Sequence, residues 1–463
     1  MFGKSYLALT AGAVVLALTS VTTAQERRVS STQKGSILYF SKIEIKWGAD
    51  GNLIQDTFVD ITNDYPADVE VQGYFINGDV ELEEICSGEP CKENIIRDFE
   101  PGWNTADCKF TLTGNQPHFW SAATGSNKCQ PFTVLDEDGP GRPDPGTDNT
   151  TRILRGFAVF FAVDFFSSPN PGPLWLPIRW NHLKGDAVLV NYADGAAWEY
   201  NAWAFQVHNG CNGCPFDEPG EPCAMTGTEI DAPFQSLLLD FYASGSTALS
   251  GGGRTVTVDT DLTVHAVSLD LRQDGCGPVL TKVEAEIWNE FETKFSGTRR
   301  CICCWDQTML SNWSRTAAIP NHFKRSALRT DKGKARLTGV ASDECDYLEL
   351  CGPTATRKRW SSECGDSVAG GNQTSFHGGS EDAALLGLAT KFLTYSPNGD
   401  MATAGMNLTG TGAGVAVLLV DGMVGPEELR GSEQSTGTRD SGQKARLPGR
   451  NSASRDDEEN QGD

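Results

Sequence analysis

Long apolar segments are almost missing from this sequence of 463 residues. One apolar run, Tyr6 to Val21, follows Lys4 and precedes the small residues Thr22-Thr23-Ala24. That order is typical of a secretory signal peptide, and the run is too short and too interrupted for a membrane span. We therefore expect residues 1–24 to be a cleaved signal peptide. The mature protein is then secreted, periplasmic or at the cell surface, with no stable membrane insertion.

Basic residues are scarce relative to acidic ones. The chain has 38 Lys and Arg against 61 Asp and Glu, which gives a formal net charge of −23 at pH 7. A surface with this charge repels phosphate backbones, which excludes nucleic acid as a partner. We expect an extracellular ligand instead, either a protein or a glycan.

Recognised catalytic motifs are also absent. The sequence contains no G-x-S-x-G, no H-E-x-x-H and no P-loop, and its 6 histidines lie in no recognised catalytic neighbourhood. Carboxylate pairs for glycoside hydrolysis meet only in space, so Glu199 and Asp194 are candidates by position alone, and both also fit a solvated surface. The leading hypothesis is a secreted, non-enzymatic binding or structural protein. The alternative is an extracellular hydrolase that acts on polysaccharide.

Helical periodicity is nearly absent, and residues of alternating polarity take its place. Between Ile37 and Asp79 the apolar residues recur at every second position, with turn signals at Asp50-Gly51 and Asn77-Gly78. This stretch predicts a three-strand antiparallel meander that is buried on one face. The segment Phe157–Val163 is apolar throughout, which predicts a strand buried on both faces.

A similar pattern returns later in the chain. Val59 to Asp64 and Tyr74 to Asn77 parallel Leu269 to Asp274 and Glu286 to Asn289, which fits either a duplication or a chance similarity of amphipathic hairpins. The fold class predicted is all-β, with two antiparallel β-sandwich domains, immunoglobulin-like or jelly-roll-like. The predicted divisions are residues 25–250, residues 251–424 with a cysteine-rich insertion at 301–379, and a disordered tail at 425–463.

The 14 cysteines, after a signal peptide, predict disulfides. Cys86 with Cys91 and Cys108 with Cys129 are the local pairs that are easiest to propose. Cys301, Cys303 and Cys304 fit bridges to cysteines of the insertion, because adjacent residues of a strand point to opposite faces.

Two candidate metal sites can be read from spacing. His208, Cys211, Cys214 and Cys223 could close a tetrahedral zinc site, although thiols in an oxidising compartment are expected to form structural disulfides instead. Asp136, Asp138, Asp144 and Asp148 could hold calcium irregularly, but the loop lacks the glutamate that ends an EF-hand, and a plain solvated loop fits equally.

Aromatic residues are dense between Trp198 and Phe205. Trp198 and Tyr200 share one face of the predicted strand, and Trp203 and Phe205 share the other. Aromatics on both faces favour a sandwich core over a carbohydrate platform.

Several segments carry a resemblance: Ser41–Trp47, Asp56–Asp64, Tyr74–Asp79 and Ile178–Asp186. They resemble uncharacterised secreted β-sandwich proteins of environmental bacteria. The resemblance covers most of the mature chain and implies a fold, but no activity and no site residue. The more general strand–Asn–turn–strand pattern is also similar to immunoglobulin-like surface modules.

Overall fold

The computed structural model of the chain describes residues 28–78, 82–85, 92–95, 105–135, 142–143, 152–166, 174–208, 219–223, 230–248, 254–270, 281–302, 305–314, 317–341, 382–396, 399–414 and 417–419. The predicted signal peptide, the predicted tail, the candidate calcium loop and the pair Cys86 and Cys91 lie outside these residues. Nearly all described segments are strands, so the all-β prediction is confirmed. In the described part of the chain, no helix is long and apolar enough to cross a membrane.

The first half of the described chain forms one antiparallel sheet and a separate hairpin. The sheet strands are β1 (Ile37–Trp47), β2 (Leu53–Asn63), β3 (Val69–Asn77), β6 (Thr105–Leu112), β7 (Pro117–Ser121), β8 (Arg142–Pro143), β9 (Arg152–Phe166), β10 (Leu174–Pro177), β11 (Leu183–Asn191), β12 (Ala196–Asn201) and β13 (Trp203–Phe205), and the hairpin is β4 (Leu82–Ile85) with β5 (Lys92–Ile95). A 3-10 turn, Phe132–Leu135, packs beneath the sheet.

The second half forms a second antiparallel sheet. Its strands are β14 (Phe234–Tyr242), β15 (Gly245–Ala248), β16 (Thr255–Ala266), β18 (Thr281–Asn289), β19 (Lys294–Ile302), β20 (Trp305–Met309), β21 (Lys332–Ala341), β22 (Asp382–Ala383), β23 (Leu385–Ser396), β24 (Met401–Asn407) and β25 (Gly410–Ala413). Outside it, β17 (Ser268–Asp270) pairs in parallel with β26 (Val417–Leu419). The 3-10 turn Leu310–Asn312 and the short helix α1 (Arg325–Leu328) complete the elements.

The predicted three-strand meander is wrong in its pairing. Strand β1 meets β2 only at Lys46 and Trp47, and its main partner is β9. Strand β9 also pairs along β3, so it lies between β1 and β3. The reason is burial, because β9 is apolar on both faces and is therefore stable only in the middle of a covered sheet.

The two sheets repeat one pairing scheme. Eight strand pairs of the first sheet have counterparts in the second sheet. In the first sheet they are β1–β9, β1–β13, β2–β7, β2–β11, β3–β6, β3–β9, β9–β10 and β11–β12. Their counterparts, in the same order, are β14–β21, β14–β25, β16–β20, β16–β23, β18–β19, β18–β21, β21–β22 and β23–β24. The other pairs, β1–β2, β8–β9, β14–β23 and β15–β16, occur once each. We refer to the two sheets as repeat 1 and repeat 2. Since the same connectivity returns in the same chain order, the structure favours the duplication alternative over chance.

The strand registers define equivalent positions in the two repeats. Asn77 pairs with Gly156 in repeat 1, and Asn289 pairs with Gly333 in repeat 2. The match of Tyr74–Asn77 with Glu286–Asn289 is therefore confirmed. The match of Val59 with Leu269 is wrong, because the β7 and β20 pairings make Leu262 the equivalent of Val59.

The predicted domain limits differ from the sheet limits. Strand β14 was expected in the first domain, but it pairs in repeat 2, so the sheets change before the Gly/Ser-rich joint near residue 250. The range 301–379 starts too early for an insertion, since β20 and β21 belong to the second sheet. The division into two domains stays a prediction, because one buried cluster contains residues of both repeats.

Two cores hold the molecule together. One is made mainly by repeat 1, with Phe40, Phe75 and Phe160, and includes Leu388 of repeat 2. The other joins the interior of repeat 2, such as Leu237 and Leu337, to the opposite face of β1 and β9. The predicted pair Cys108–Cys129 is confirmed, with the Cα atoms 5.2 Å apart.

Candidate functional site

The contact between the repeats centres on a bulge in β1. Phe40 pairs with Ala158 and Ile43 with Gly156, so one residue more is present in β1 than in β9. The equivalent stretch of β14 continues without a bulge. A bulge re-aims side chains, and here it turns Lys42 toward repeat 2.

Lys42 lies at the centre of a buried polar group, the interface cluster, made of Lys42, Glu44, Gln55, Asp261 and Gln307. The Lys42 Nζ atom lies 2.5 Å from Asp261 Oδ2 and 3.4 Å from Glu44 Oε2. The Gln307 amide donates to Glu44 Oε2 at 2.6 Å and to Asp261 Oδ2 at 2.7 Å. The Gln55 amide donates to Glu44 Oε1 at 2.5 Å. All five side chains are buried, so each charge depends on these partners.

The Glu44 carboxyl has a perturbed pKa. Burial alone raises the pKa, but the ammonium groups of Lys42 and Lys46 and the amides of Gln307 and Gln55 lower it more. The net effect holds the pKa of Glu44 well below its ordinary value of 4.5. This carboxylate is therefore ionised at any physiological pH and cannot act as a general acid.

The carbonyl oxygen of Ser41, in the same bulge, accepts two hydrogen bonds from repeat 2. His265 Nε2 donates at 2.9 Å and Trp305 Nε1 donates at 3.0 Å. Burial lowers the pKa of His265 to about 3, although the bond to Ser41 opposes this shift. A neutral histidine locked on a backbone carbonyl holds the two repeats together, and its environment gives it no role in proton transfer near neutral pH.

Two close approaches complete the contact. A Cβ atom at Gly78 would lie 2.2 Å from the Trp305 ring, and one at Gly405 would lie 2.3 Å from the Trp198 ring. Any side chain at either position would collide with the indole ring, so both positions require glycine. The interface cluster holds one cation and two carboxylates, and Lys46 Nζ, 3.4 Å from Glu44 Oε1, supplies the second cation. Buried groups that neutralise one another in this way are typical of a structural joint.

A different surface of repeat 1 is open, and we call it the acidic face: Phe58, Asp60, Phe119, Asp186 and Glu199. Asp60 lies directly opposite Asp186 in one neighbouring strand and opposite Phe119 in the other. The Phe58 and Phe119 rings stack 5.4 Å apart with an interplanar angle of 2°, and Phe119 is 60% exposed. Glu199 follows on β12, in the row that contains Phe58.

The carboxyl groups of the acidic face repel one another. Burial raises the pKa of Asp186, and the charges of Asp60 and Glu199 raise it further, against the effect of Lys184. Burial also raises the pKa of Asp60, opposed by a Thr62 hydrogen bond and by Lys184. Like charges directly opposite in a sheet are destabilising, so this arrangement lowers the stability of the folded protein. A cationic partner would reduce the repulsion.

The residues predicted as a zinc site are only partly described. His208 Nε2 lies 2.7 Å from Asp231 Oδ1, and Cys223 is buried. Cys211 and Cys214 lie outside the described residues, so the zinc and disulfide alternatives stay predictions. Among the described residues, no three His, Cys, Asp or Glu side chains are grouped as metal ligands.

Other sequence predictions have clearer outcomes. Tyr200, Trp203 and Phe205 are buried, which confirms that these aromatics fill a core. Cys301 is disulfide-bonded, in agreement with the structural interpretation of its cluster. Asp194 lies in the β11–β12 turn, where Asn191 donates to its carboxylate at 2.8 Å. Glu199 belongs to the acidic face, which sequence reasoning missed because its members come from four separate strands.

One shallow cavity of about 640 Å³ lies beside α1. Ser244, Asp259, Ser311, Lys324 and Arg325 are among the residues that line it. Asp259 Oδ1 accepts from Ser244 at 2.6 Å and from the Ser311 backbone at 3.2 Å. Arg325 is held by the Ser246 carbonyl and by Asp331. Ser244, Asp259 and Arg325 are thus held by structural contacts.

Comparison with known proteins identifies no relative. No family model matches the chain, and no curated protein matches it. Among solved structures it is similar to a chain of the cowpea mosaic virus top component, described as naturally occurring empty particles. The identity is 8%, the alignment covers 86% of this chain and 96% of that chain, and the TM-score is 0.14. A score this low supports no conclusion about fold or function.

Proposed function

We propose that this chain is a secreted, non-enzymatic binding or structural protein, built from two stacked β repeats. The observation that carries the proposal is the acidic face. Its positions in repeat 1 are equivalent to positions in repeat 2 that are buried against another sheet. The acidic face is therefore the surface where a partner fits.

The equivalence follows from strand pairing. Phe58 pairs with Ser121, and Asp261 pairs with Met309, in matching places of β2–β7 and β16–β20. Phe58 is thus equivalent to Asp261, and Thr62 to His265. In repeat 2 these positions contact Lys42 and Ser41 of repeat 1, whereas Phe58 and Thr62 are only half-buried.

Two features support a location outside the cytoplasm. The N-terminal sequence, Lys4 followed by the apolar run Tyr6 to Val21, is typical of a cleaved signal. The disulfide Cys108–Cys129 and the disulfide-bonded Cys301 favour an oxidising compartment. The resemblance to secreted β-sandwich proteins is consistent with the same location.

A second candidate function, polysaccharide hydrolysis, is favoured by one observation. Asp60 and Asp186 lie directly opposite on neighbouring strands, where Cβ atoms are about 4.5–5.5 Å apart. Retaining glycosidases use two carboxyl groups about 5–5.5 Å apart. The stacked Phe58 and Phe119 rings alongside could support a sugar. An open sheet face, however, excludes water poorly, and this favours binding over catalysis.

The two functions are separated by one experiment. The wild-type protein, Asp186→Asn and the control Asp194→Asn are incubated with a panel of soluble polysaccharides, and reducing ends are measured. The proposal expects no turnover by any of the three proteins. Turnover that is lost in Asp186→Asn and kept in Asp194→Asn would overturn it and establish the hydrolase.

A further inference from the structure

Within the chain, the repeats stack head to tail. Repeat 1 contributes the outward face of β1 and β9, with Tyr39 and Phe157 each 5.1 Å from the His265 ring. Repeat 2 contributes the outward face of β16 and β20, with His265 and Trp305. The two contacting faces are thus different surfaces of the same fold, so each repeat has one face of each kind.

This stacking leaves one face of each kind outside the contact. In repeat 1 that is the acidic face, which is equivalent to the covered face of repeat 2. In repeat 2 the face outside the contact is the outward face of β14, β18 and β21. It is equivalent to the outward face of β1 and β9 in repeat 1, which packs against repeat 2. The registers place Lys334 at the position of Phe157 and Lys332 at that of Arg155.

The face left on repeat 2 carries cations and aromatic rings, and we call it the basic face: Tyr242, Trp288, Lys332, Lys334 and Arg336. Lys332 lies opposite Tyr242, with Nζ 5.5 Å from the ring centroid. Lys334 lies opposite Trp288, and Arg336 lies 5.9 Å from the Trp288 ring. The three cations are exposed, and Tyr242 is 37% exposed.

Acidic groups also lie on that face, next to its cations. Lys294 forms an ion pair with Glu286, and Arg336 approaches Glu286 at 3.8 Å. Asp240 lies opposite Lys334. In a chain with a formal net charge of −23, cations concentrated on one sheet face are a local exception.

We propose that the protein associates with further copies of itself head to tail, the acidic face of one copy against the basic face of the next. The pairing would repeat the stacking found inside the chain. In that stacking Arg155 lies 5.9 Å over the Trp305 ring. The equivalent of Arg155 is Lys332, and the equivalent of Trp305 is Pro117. In the proposed contact, the cations of the basic face would therefore lie beside Phe119, Asp60 and Asp186. This inference rests on the proposed structural role.

The chemistry of the two faces sets the properties of the contact. The interface inside the chain combines a buried apolar cluster with the buried interface cluster, whereas the proposed one is formed by exposed charges and rings. It should therefore form reversibly and weaken with salt. Because two different faces meet, the contact is heterologous, and it produces a closed ring or an open filament and not a two-fold dimer.

The test is sedimentation velocity on the full secreted chain over a range of concentrations, at 0.15 M and about 1 M salt, where the screening length falls to about 3 Å. The acidic-face variant is Asp60→Lys with Asp186→Lys, and the basic-face variant is Lys332→Glu with Lys334→Glu. Asp194→Lys is the matched control, since it changes the charge of an exposed turn. Unfolding midpoints establish that each variant folds.

We expect the wild type and the control to associate at low salt and to dissociate at high salt. Each face variant alone should be monomeric, with association at least tenfold weaker. An equimolar mixture of the two face variants should associate again, because each variant keeps one intact face and the two reversed faces are themselves opposite in charge. Association in this mixture also shows that both variants are folded.

Three results would overturn self-association. They are a wild type that is monomeric at its highest soluble concentration, a two-fold dimer that is unaffected by either face variant, or face variants that fail to combine. A monomeric wild type that binds another ligand through the acidic face would overturn only this inference. Polysaccharide turnover that depends on Asp186 would overturn the proposed function whatever the mass.

Discussion

Lys42 of repeat 1 forms an ion pair with Asp261 of repeat 2 across a buried contact, with Nζ 2.5 Å from Oδ2. Both side chains are at least 95% buried. The bulge in β1 positions the ammonium group, and the equivalent strand β14 has no bulge. This single insertion distinguishes the repeats at the place where they meet.

Replacing Lys42 by Met should strongly destabilise the protein. The change leaves the carboxylates of Glu44 and Asp261 buried without their shared cation, and such a loss costs about 3–5 kcal/mol. Guanidinium unfolding at pH 7 measures the effect. Lys34→Met is the matched control, because the Lys34–Asp64 pair is exposed and screened by solvent, so its loss should change stability little. Equal effects in the two variants would contradict the assigned role of Lys42.

His265 should make stability depend on pH. Its folded-state pKa of about 3 lies below its ordinary value of 6.5, so between these values the unfolded chain binds more protons. Stability is therefore complete above pH 6.5 and falls on acidification, by about 1.4 kcal/mol per pH unit for one such group. His118, His182 and His322 also have lowered pKa values and contribute in the same direction.

The variant His265→Gln isolates this contribution. The wild-type advantage over the variant should be constant above pH 6.5 and shrink steadily as the pH falls to 4.5. Glu44 adds its own loss only below pH 4.5, its ordinary value, because its folded pKa is depressed. The measurement is urea unfolding of both proteins at half-unit pH steps. If the difference in unfolding free energy between wild type and His265→Gln stays constant from pH 7 to pH 4.5, the lowered pKa of His265 is contradicted.

Asp186→Asn should stabilise the protein slightly at pH 7. The substitution removes the like charge opposite Asp60, a pair term of about 0.2–1 kcal/mol. The folded pKa of Asp186 is raised, so the charged form is disfavoured in the native state. The gain is therefore present at neutral pH and disappears as the pH falls below the ordinary value of 3.8. Thermal unfolding at pH 7 and pH 3 tests this, with Asp194→Asn as control. Destabilisation by Asp186→Asn at pH 7 would show that the Asp60 and Asp186 carboxylates do not repel each other.

The cysteines should be fully oxidised and the protein free of zinc. His208 is already engaged by Asp231, and thiols in an oxidising compartment pair. Alkylation without reduction, followed by intact mass and zinc quantification on the same sample, measures both quantities. Stoichiometric zinc, with thiols that become alkylated after its removal, would instead establish the site at His208, Cys211, Cys214 and Cys223.

Much of the fold could be predicted from local patterns. Alternation identified β1 and β3, and the continuous apolar run Phe157–Val163 identified the buried strand β9. The sequence predicts only Ala335–Gly339 of strand β21, and its start was missed because the outward side carries Lys332, Lys334 and Arg336, which resemble the charges of a loop. The order of the strands could not be read, since the position of β9 between β1 and β3 depends on contacts far apart in sequence.

The candidate site was less accessible from sequence. Asp60 and Asp186 are ordinary surface residues in their own strands, and only the register brings them together. The burial of Lys42 could not be predicted either. Alternation places Lys42 among the polar positions of its strand, and the bulge can be recognised only from the pairing of β1 with β9. The equivalence of the buried and open faces required the pairing scheme of both repeats.

Carboxyl footprinting measures directly whether the two repeats are stacked with Glu44 and Asp261 buried between them. A water-soluble carbodiimide with an amine nucleophile is applied to the folded protein at low concentration and high salt, and peptide mapping gives the rate for each residue. We expect rapid modification at Glu199, slower modification at Asp60 and Asp186, and protection of Glu44 and Asp261. Modification of Glu44 and Asp261 at the rate of Glu199 would contradict this expectation, since the repeats would then not be stacked on this face.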